Sequence, residues 1–238
     1  MEIVKVLPKL SIVIPVYNEV SSVVEVLSEI LTLKLDKEII VVDDGSTDGT
    51  RELLQKFSNE NQNIKLILSE KNGGKGTALR EGFKHAQGVY TVVQDADFEY
   101  DPHDLEKMLD YAVTYNADVV FGNRFHDQRF FEGMDWKNFI GNNVVLPIMA
   151  SLLYGQYIPD EATCYKMFKT DLLKSINLEC KRFEFCPEVT AKVRKKHIKI
   201  HFVPVKYMPR TTNSGKKLKA LKDGAEAVWT LLKYKFKD

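Results

Sequence analysis

The chain has 238 residues, 44% hydrophobic and 28% charged, which suits one large α/β domain, or a domain with an appendage, that buries a sizeable core. A net charge of +1 excludes a global field that would recruit nucleic acid, so any basic partner site is local. Three cysteines without CxxC spacing, behind an N-terminus that does not read as a secretory signal, point to reduced thiols in the cytoplasm.

Leu10 to Val16 reads as a buried strand, broken by Tyr17-Asn18-Glu19. Val23, Val24, Leu27, Ile30 and Leu31 then recur at helical spacing, with Ser21 or Ser22 as the cap. Glu38 to Val42 is a second strand that runs into Asp43-Asp44-Gly45-Ser46-Thr47-Asp48, where Thr47 or Asp48 caps the next helix. Ile64 to Leu68 is a third strand. Asn72-Gly73-Gly74-Lys75-Gly76 is a glycine-rich turn into a helix over Thr77 to Ala86, and Tyr90 to Val93 is a fourth strand. This alternation predicts a parallel sheet covered on both faces. The second half is less regular: a helix over Asp104 to Tyr115, a strand over Asp118 to Gly122, an apolar helix over Asn138 to Tyr154, a strand over Cys164 to Phe168, a helix over Phe185 to Lys195 and a strand over Ile198 to Val205. The longest apolar run, Val144 to Tyr154, contains Pro147 and falls short of the ~20 residues that span a bilayer. Lys216 to Lys237 reads as a basic amphipathic helix.

The chemistry concentrates after the fourth strand, in Gln94-Asp95-Ala96-Asp97-Phe98-Glu99. In extended backbone Asp95, Asp97 and Glu99 project to one side, where their charges repel unless a cation lies between them. Hard ions such as Mg²⁺ or Mn²⁺ take oxygen ligands, and Mg²⁺ keeps positions for phosphate oxygens. From this stretch alone a solvated acidic turn reads equally well. In an open α/β sheet, ligands bind at the carboxyl ends of the strands. Asp43 and Asp44 at such an end suit a base edge or a ribose, and Glu19 a ribose hydroxyl. Lys75, flanked by glycines, suits a phosphate, although the turn has neither the Walker A nor the GxGxxG spacing.

Taken together, Pro15-Val16-Tyr17-Asn18-Glu19, Val41 to Asp48, Asn72 to Gly76 and Asp95-Ala96-Asp97 resemble the family 2 glycosyltransferases of GT-A fold. The nearer likeness is to the dolichyl- or polyprenyl-phosphate sugar synthases. Gly122-Asn123-Arg124 is similar to that group's Gly-Ser-Arg, Asp160 to Lys166 to its Asp-x-x-Thr-Cys-Tyr-Lys variant, and Tyr207-Met208-Pro209-Arg210-Thr211 through Lys217 to its Arg-Thr…Lys segment. The resemblance implies a mostly parallel Rossmann-like central sheet with helices on both faces in residues 1–205, and a basic C-terminal segment over 206–238. It implies that Pro15, Tyr17, Glu19 and Asp44 hold the nucleoside, with Lys75 and Asp95 near the nucleotide. It also implies that Asp95, Asp97 and Glu99 hold Mg²⁺ or Mn²⁺ against the diphosphate. Arg124 and Arg210 would meet the acceptor phosphate or the diphosphate, and Asp160 would sit near the transferred sugar. Two departures stand out: Glu99 replaces the usual Gln, and Ala162 stands where an acid is common, with Glu161 beside it.

The expected activity is inverting transfer from a nucleotide sugar, of GDP-mannose or UDP-glucose type, to a polyprenyl phosphate. An anionic phosphate acceptor needs no general base, whereas a sugar hydroxyl does, with Asp160 as first candidate and Glu188 as second. Residues 206–238 carry nine Lys/Arg and three Asp/Glu, which suits an anionic membrane surface, a solvated helix docked on the domain or an oligomer interface. The alternatives are transfer to a surface-glycan hydroxyl and a non-catalytic nucleotide-sugar-binding protein on the same fold.

Overall fold

The structure, a computed structural model, describes residues 8–126, 140–209 and 220–237. Arg210, the segment Thr211 through Lys217 and the expected helix start at Asn138 lie outside the described residues. The first half alternates as expected: β1 (Leu10–Val16), α1 (Val23–Thr32), β2 (Lys37–Asp43), α2 (Thr50–Glu60), β3 (Ile64–Leu68), α3 (Lys75–His85), β4 (Tyr90–Val93), α4 (Asp104–Thr114) and β5 (Val119–Asn123). A π-helical turn (Gly141–Val145) then leads into α5 (Leu146–Tyr154). Pro147 has no N–H to give the preceding turn, which suits the irregular start of this helix. After it come β6 (Lys166–Lys169), α6 (Thr170–Ser175), α7 (Phe185–Lys195), β7 (His201–Pro204) and α8 (Ala220–Phe236). The short α6 has no counterpart in the sequence reading.

The seven strands form one sheet in the order β3-β2-β1-β4-β6-β5-β7. All neighbours are parallel except β6, which runs antiparallel to both β4 and β5. The order reverses between β1 and β4, so the crevice at their carboxyl ends is the expected ligand position of a doubly wound sheet. Because β6 is antiparallel, it begins at the edge where β4 and β5 end, as the pairing of Lys166 with Phe121 shows. The segment just before β6 therefore lies on the ligand side of the sheet.

Side-chain alternation divides the core. Ile12, Ile14, Ile39, Val41 and Val92 pack with α1 and α4 on one face. Val13, Ile40, Val42 and Val93 pack with α3, α5, α7 and α8 on the other. The apolar stripe of α8 belongs to this second core: Leu231 is fully buried, and Tyr154 Oη donates to the Leu231 carbonyl at 2.6 Å.

The Ser22 hydroxyl does not cap α1. It donates to the Ala96 carbonyl at 2.8 Å and to Glu19 Oε2 at 3.1 Å, so it ties the end of β1 to the acidic stretch. Nor is Asp48 or Thr47 the cap of α2, whose N-cap is Gly49; Asp48, one residue further out, accepts the Thr50 N–H at 3.0 Å.

Helix α3 lies tight against β1 and β2 at Gly82, where a Cβ would fall 2.4 Å from Val13 Cγ1 and 3.3 Å from Val42 Cγ2. Alanine improves helix propensity by ~1 kcal/mol. Overpacking of the fully buried Val13 costs about 1–3 kcal/mol and outweighs it. Gly82→Ala is expected to lower Tm by roughly 2–6 °C in thermal unfolding followed by circular dichroism. An unchanged or raised Tm would mean that α3 shifts away from the sheet without strain.

Candidate active site

A cleft of about 950 Å³ opens at the carboxyl ends of β1, β2 and β4. Pro15, Tyr17, Glu19, Asp44, Lys75, Asp95, Asp97, Glu99 and Arg124 all line it, so the structure brings these expected site residues to one surface.

Asp44 is almost fully buried, and its carboxylate is engaged by the glycine turn. Oδ1 accepts the Gly73 N–H at 2.9 Å and Oδ2 the Gly74 N–H at 2.7 Å. Burial pushes its pKa up, the two amides pull it back and the adjacent Asp43 adds to the rise. Asp43 itself holds the framework: Oδ2 accepts from Arg51 Nε at 2.7 Å and Oδ1 from the Ser46 N–H at 3.2 Å. Asn18, at φ 50°, links the β1 and β2 loops, donating its N–H to Ser46 Oγ and accepting the Thr47 N–H.

The glycines of the turn serve a second contact that sequence spacing did not show. Gly74 has φ +88°, and a Cβ there would sit 2.4 Å from the Lys181 carbonyl oxygen. At Gly76 a Cβ would meet the carbonyl carbons of Cys180 and Lys181 at 2.9 Å. These positions admit the backbone of the segment before α7, and the Thr77 N–H donates to the Lys181 carbonyl at 3.1 Å. Glu188, the second candidate base, holds that segment from behind. It is fully buried, accepts the N–H groups of Glu179 and Cys180 at 2.7 Å each and pairs with Lys192 at 2.5 Å. It does not line the cleft, so its expected role is corrected to a structural one.

Lys75 reaches across the cleft floor. Its Nζ donates to Asp95 Oδ1 at 2.5 Å and contacts Cys164 Sγ at 3.1 Å. Burial lowers the pKa of the ammonium, but the Asp95 carboxylate more than offsets this and holds it well above the usual lysine value. After Asp95 the chain turns instead of continuing extended, and Asp97 Oδ1 accepts the Glu99 N–H at 3.0 Å. The two-residue alternation expected of Asp95, Asp97 and Glu99 is therefore not their geometry. Among the described residues no three His, Cys, Asp or Glu side chains converge as a metal cage. Carboxylates facing a shared cleft instead fit a hard ion that takes one or two protein carboxylates and completes its shell with water and substrate oxygens.

Arg124 and Asp160 form a buried bidentate pair, Nε to Oδ2 at 2.8 Å and Nη2 to Oδ1 at 2.7 Å, and the Arg124 N–H adds a third bond to Oδ2 at 3.0 Å. The guanidinium also lies over the Tyr207 ring at 4.9 Å. Arg124 reaches the cleft wall, whereas Asp160 is fully buried behind it and lines no part of the cleft. The Asp160 carboxylate is thus engaged by Arg124 and holds its guanidinium in place.

Four lining residues were not singled out as site residues from the sequence. Tyr207 stacks near Tyr100, with ring centroids 5.3 Å apart. Arg182 Nη2 lies 3.4 Å from Asp223 Oδ1 of α8. Cys164 contacts Lys75, and Glu161 lies beside Asp160 in the chain. Spacing gave no signal for Arg182, which lies in an irregular connection; Tyr207 stood at the start of the segment that resembles the family's Arg-Thr…Lys stretch, and the acidic Asp160-Glu161 pair also gave a signal. The far wall is apolar, with Val145 and Leu146 from the start of α5 and Val228, Trp229 and Leu232 from α8.

Comparison with known proteins agrees with this geometry. The family model described as Glycosyl transferase family 2 matches residues 11–176. Glycosyltransferase AglJ of Haloferax volcanii is 32% identical over 214 residues, 90% of this chain and 67% of that protein. The UDP-N-acetylglucosamine–dolichyl-phosphate N-acetylglucosaminyltransferase of Methanococcus voltae is 30% identical over 212 residues, 82% of this chain and 84% of that protein. Glucosyl-3-phosphoglycerate synthase from Mycobacterium tuberculosis, solved with Mn²⁺, UDP and phosphoglyceric acid, superposes with a TM-score of 0.74. It covers 96% of this chain and 79% of its own, and at 16% identity it shows the common GT-A fold alone. The extent of the family match, together with archaeal relatives at this identity, shows that the chain belongs to glycosyl transferase family 2 and resembles its polyprenyl-phosphate sugar synthases.

Proposed function

We propose that this glycosyltransferase is metal-assisted and inverting, and that it moves a sugar from a nucleotide sugar to a polyprenyl phosphate at the cytoplasmic membrane face. The carrying observation is one cleft with two kinds of wall. Strand ends bearing Asp44, the glycine turn, Lys75 and the acidic stretch form one side, and the apolar helices α5 and α8 form the other. The first suits a nucleoside diphosphate and the second a lipid chain. The activity of the Methanococcus voltae relative, N-acetylglucosaminyl transfer to dolichyl phosphate, supports this reading.

On this reading Pro15, Tyr17 and Glu19 hold the nucleoside beside the Asp44-anchored turn. Asp95 and Asp97, with Glu99 at the turn, hold a divalent ion. When bound, that ion stabilises the charge that develops on the departing diphosphate. Lys75 keeps a positive charge next to Asp95, and Arg124, fixed by Asp160, presents a cation to the acceptor phosphate. Arg210 is proposed to join it. A phosphate oxygen is already anionic and attacks without a base. That suits a site in which Asp160 and Glu188 are committed to structural partners. Transfer to a hydroxyl remains the alternative, and it requires a base from another residue.

No helix among the described residues is long and apolar enough to cross a membrane. The helices that form the apolar wall nevertheless carry exposed Leu152 (80%) on α5 and Phe236 (83%) and Trp229 on α8. We assign this face to the membrane surface, with the lysines at the end of α8 toward anionic headgroups.

Isothermal calorimetry with GDP-mannose, UDP-glucose, UDP-GlcNAc and dTDP-sugars, in Mn²⁺ and in EDTA, tests the donor. One sugar nucleotide should bind more tightly with the metal. Asp97→Ala should erase that difference and lower turnover by at least roughly 10²-fold. Equal binding in EDTA and Mn²⁺ by the wild type would remove the metal from the reading. Since α8 belongs to the core, the membrane face is tested by surface substitution and not by truncation. Leu152→Asp combined with Phe236→Asp should abolish flotation with anionic liposomes while leaving donor binding and Tm unchanged. Undiminished flotation would show that this face does not dock.

A further inference from the structure

Most buried charges of the site are paired, but Glu161 is not. It is fully buried, and neither Oε1 nor Oε2 has a hydrogen-bond partner. Lys166 comes close, yet its Nζ donates to the Glu161 main-chain carbonyl at 2.8 Å and lies 3.7 Å from the centroid of the Phe121 ring. The Thr190 hydroxyl on α7 sits beside the carboxylate, and its Oγ1 also makes no hydrogen bond. Burial pushes the Glu161 pKa up, eased by Lys166 and Thr190 and raised further by Asp160. A buried carboxylate left without partners destabilises a fold, so its place needs another reason.

That reason lies on the cleft side. Glu161 belongs to the cleft wall with Arg124, Ala162 and Cys164, on the segment that the antiparallel β6 places at the carboxyl edge of the sheet. Strand order puts it across β4 from Asp44 and the nucleoside end. The partner it awaits must donate hydrogen bonds. A phosphate group cannot, because its charge would be repelled by the carboxylate. Sugar hydroxyls are neutral donors of the right kind.

We infer that Glu161 is a specificity-determining residue whose Oε1 and Oε2 accept hydrogen bonds from two hydroxyls of the transferred sugar. This assignment rests on the transferase reading above. It places the nucleoside diphosphate and the sugar on separate determinants, with Asp44 and the glycine turn at one end and Glu161 at the other.

The test compares wild type, Glu161→Gln and Glu161→Met. Each is titrated in Mn²⁺ with UDP, GDP, UDP-glucose, UDP-GlcNAc and GDP-mannose, and each is unfolded thermally without ligand. Wild type should prefer one nucleotide sugar over its parent nucleotide. Both variants should hold nucleotide affinity within about twofold while losing the preference for the sugar by roughly 10–100-fold. Ligand-free Glu161→Met should melt higher than wild type, because it removes an unpartnered buried carboxylate and keeps similar bulk. Retention of the full sugar preference by the variants overturns the assignment, as does a lower Tm in both. Unchanged donor binding with lost turnover also overturns it, because Glu161 would then be moving a proton from a hydroxyl acceptor. Failure of wild type to bind any nucleotide defeats the transferase reading first and the assignment with it.

Discussion

The grip of the Asp44 carboxylate on the Gly73 and Gly74 amides is the interaction on which the polar half of the cleft depends. It fastens the turn between β3 and α3 to the end of β2. That fixes where α3 begins and where Lys75 can reach. The opposite side of the same turn is pressed against residues 180–182, which Glu188 holds through the amides of Glu179 and Cys180. Two buried carboxylates from distant parts of the chain thus clamp one glycine turn between them. A carboxylate accepting backbone amides is a strong, directional tie, and it suits a turn whose glycines leave it little side-chain packing of its own.

The antiparallel placement of β6 has a comparable reach. A strand parallel to its neighbours would have brought its preceding loop to the far edge of the sheet. Running the other way, β6 delivers residues 160–165 to the ligand side, where Asp160 fixes Arg124, Cys164 meets Lys75 and Glu161 enters the wall. One reversal of direction therefore supplies the part of the site around Arg124 and Lys75.

The parallel half of the fold was legible because its strands are short apolar runs and its helices keep a 3.6-residue period. The starts and ends of β3, β4 and α7 agree with the sequence pattern. The direction of β6 was not legible, since Cys164 to Phe168 carries no mark of which way it pairs. The residues of the cleft were legible by type: Asp44, Lys75, Asp95, Asp97 and Arg124 all reach it. Their commitments were not. Asp160 and Glu188 look like candidate bases in a sequence, because a carboxylate shows its chemistry there but not its partners. The structure ties Asp160 to a guanidinium and Glu188 to two amides and a lysine. Regular alternation after β4 was likewise assumed, and the local bond from Glu99 N–H to Asp97 replaced it with a turn.

The distribution of these carboxylates bears on the chemistry. A hydroxyl acceptor would require one of them to stay near the reacting carbon with an open oxygen to take the proton. Asp160 has no open oxygen, since three bonds from Arg124 occupy it, Glu188 lies away from the cleft, and Glu161, whose oxygens carry no hydrogen bond, is the carboxylate assigned above to the sugar hydroxyls. What the cleft does offer is positive charge held in place, Lys75 by Asp95 and Arg124 by Asp160 and Tyr207, facing an apolar wall. Fixed cations that need no reorganisation suit an acceptor that arrives already anionic, and an apolar wall suits the chain that carries it. The same economy explains why aspartates here are used to position cations: with a phosphate nucleophile, orientation and charge are what the protein must provide.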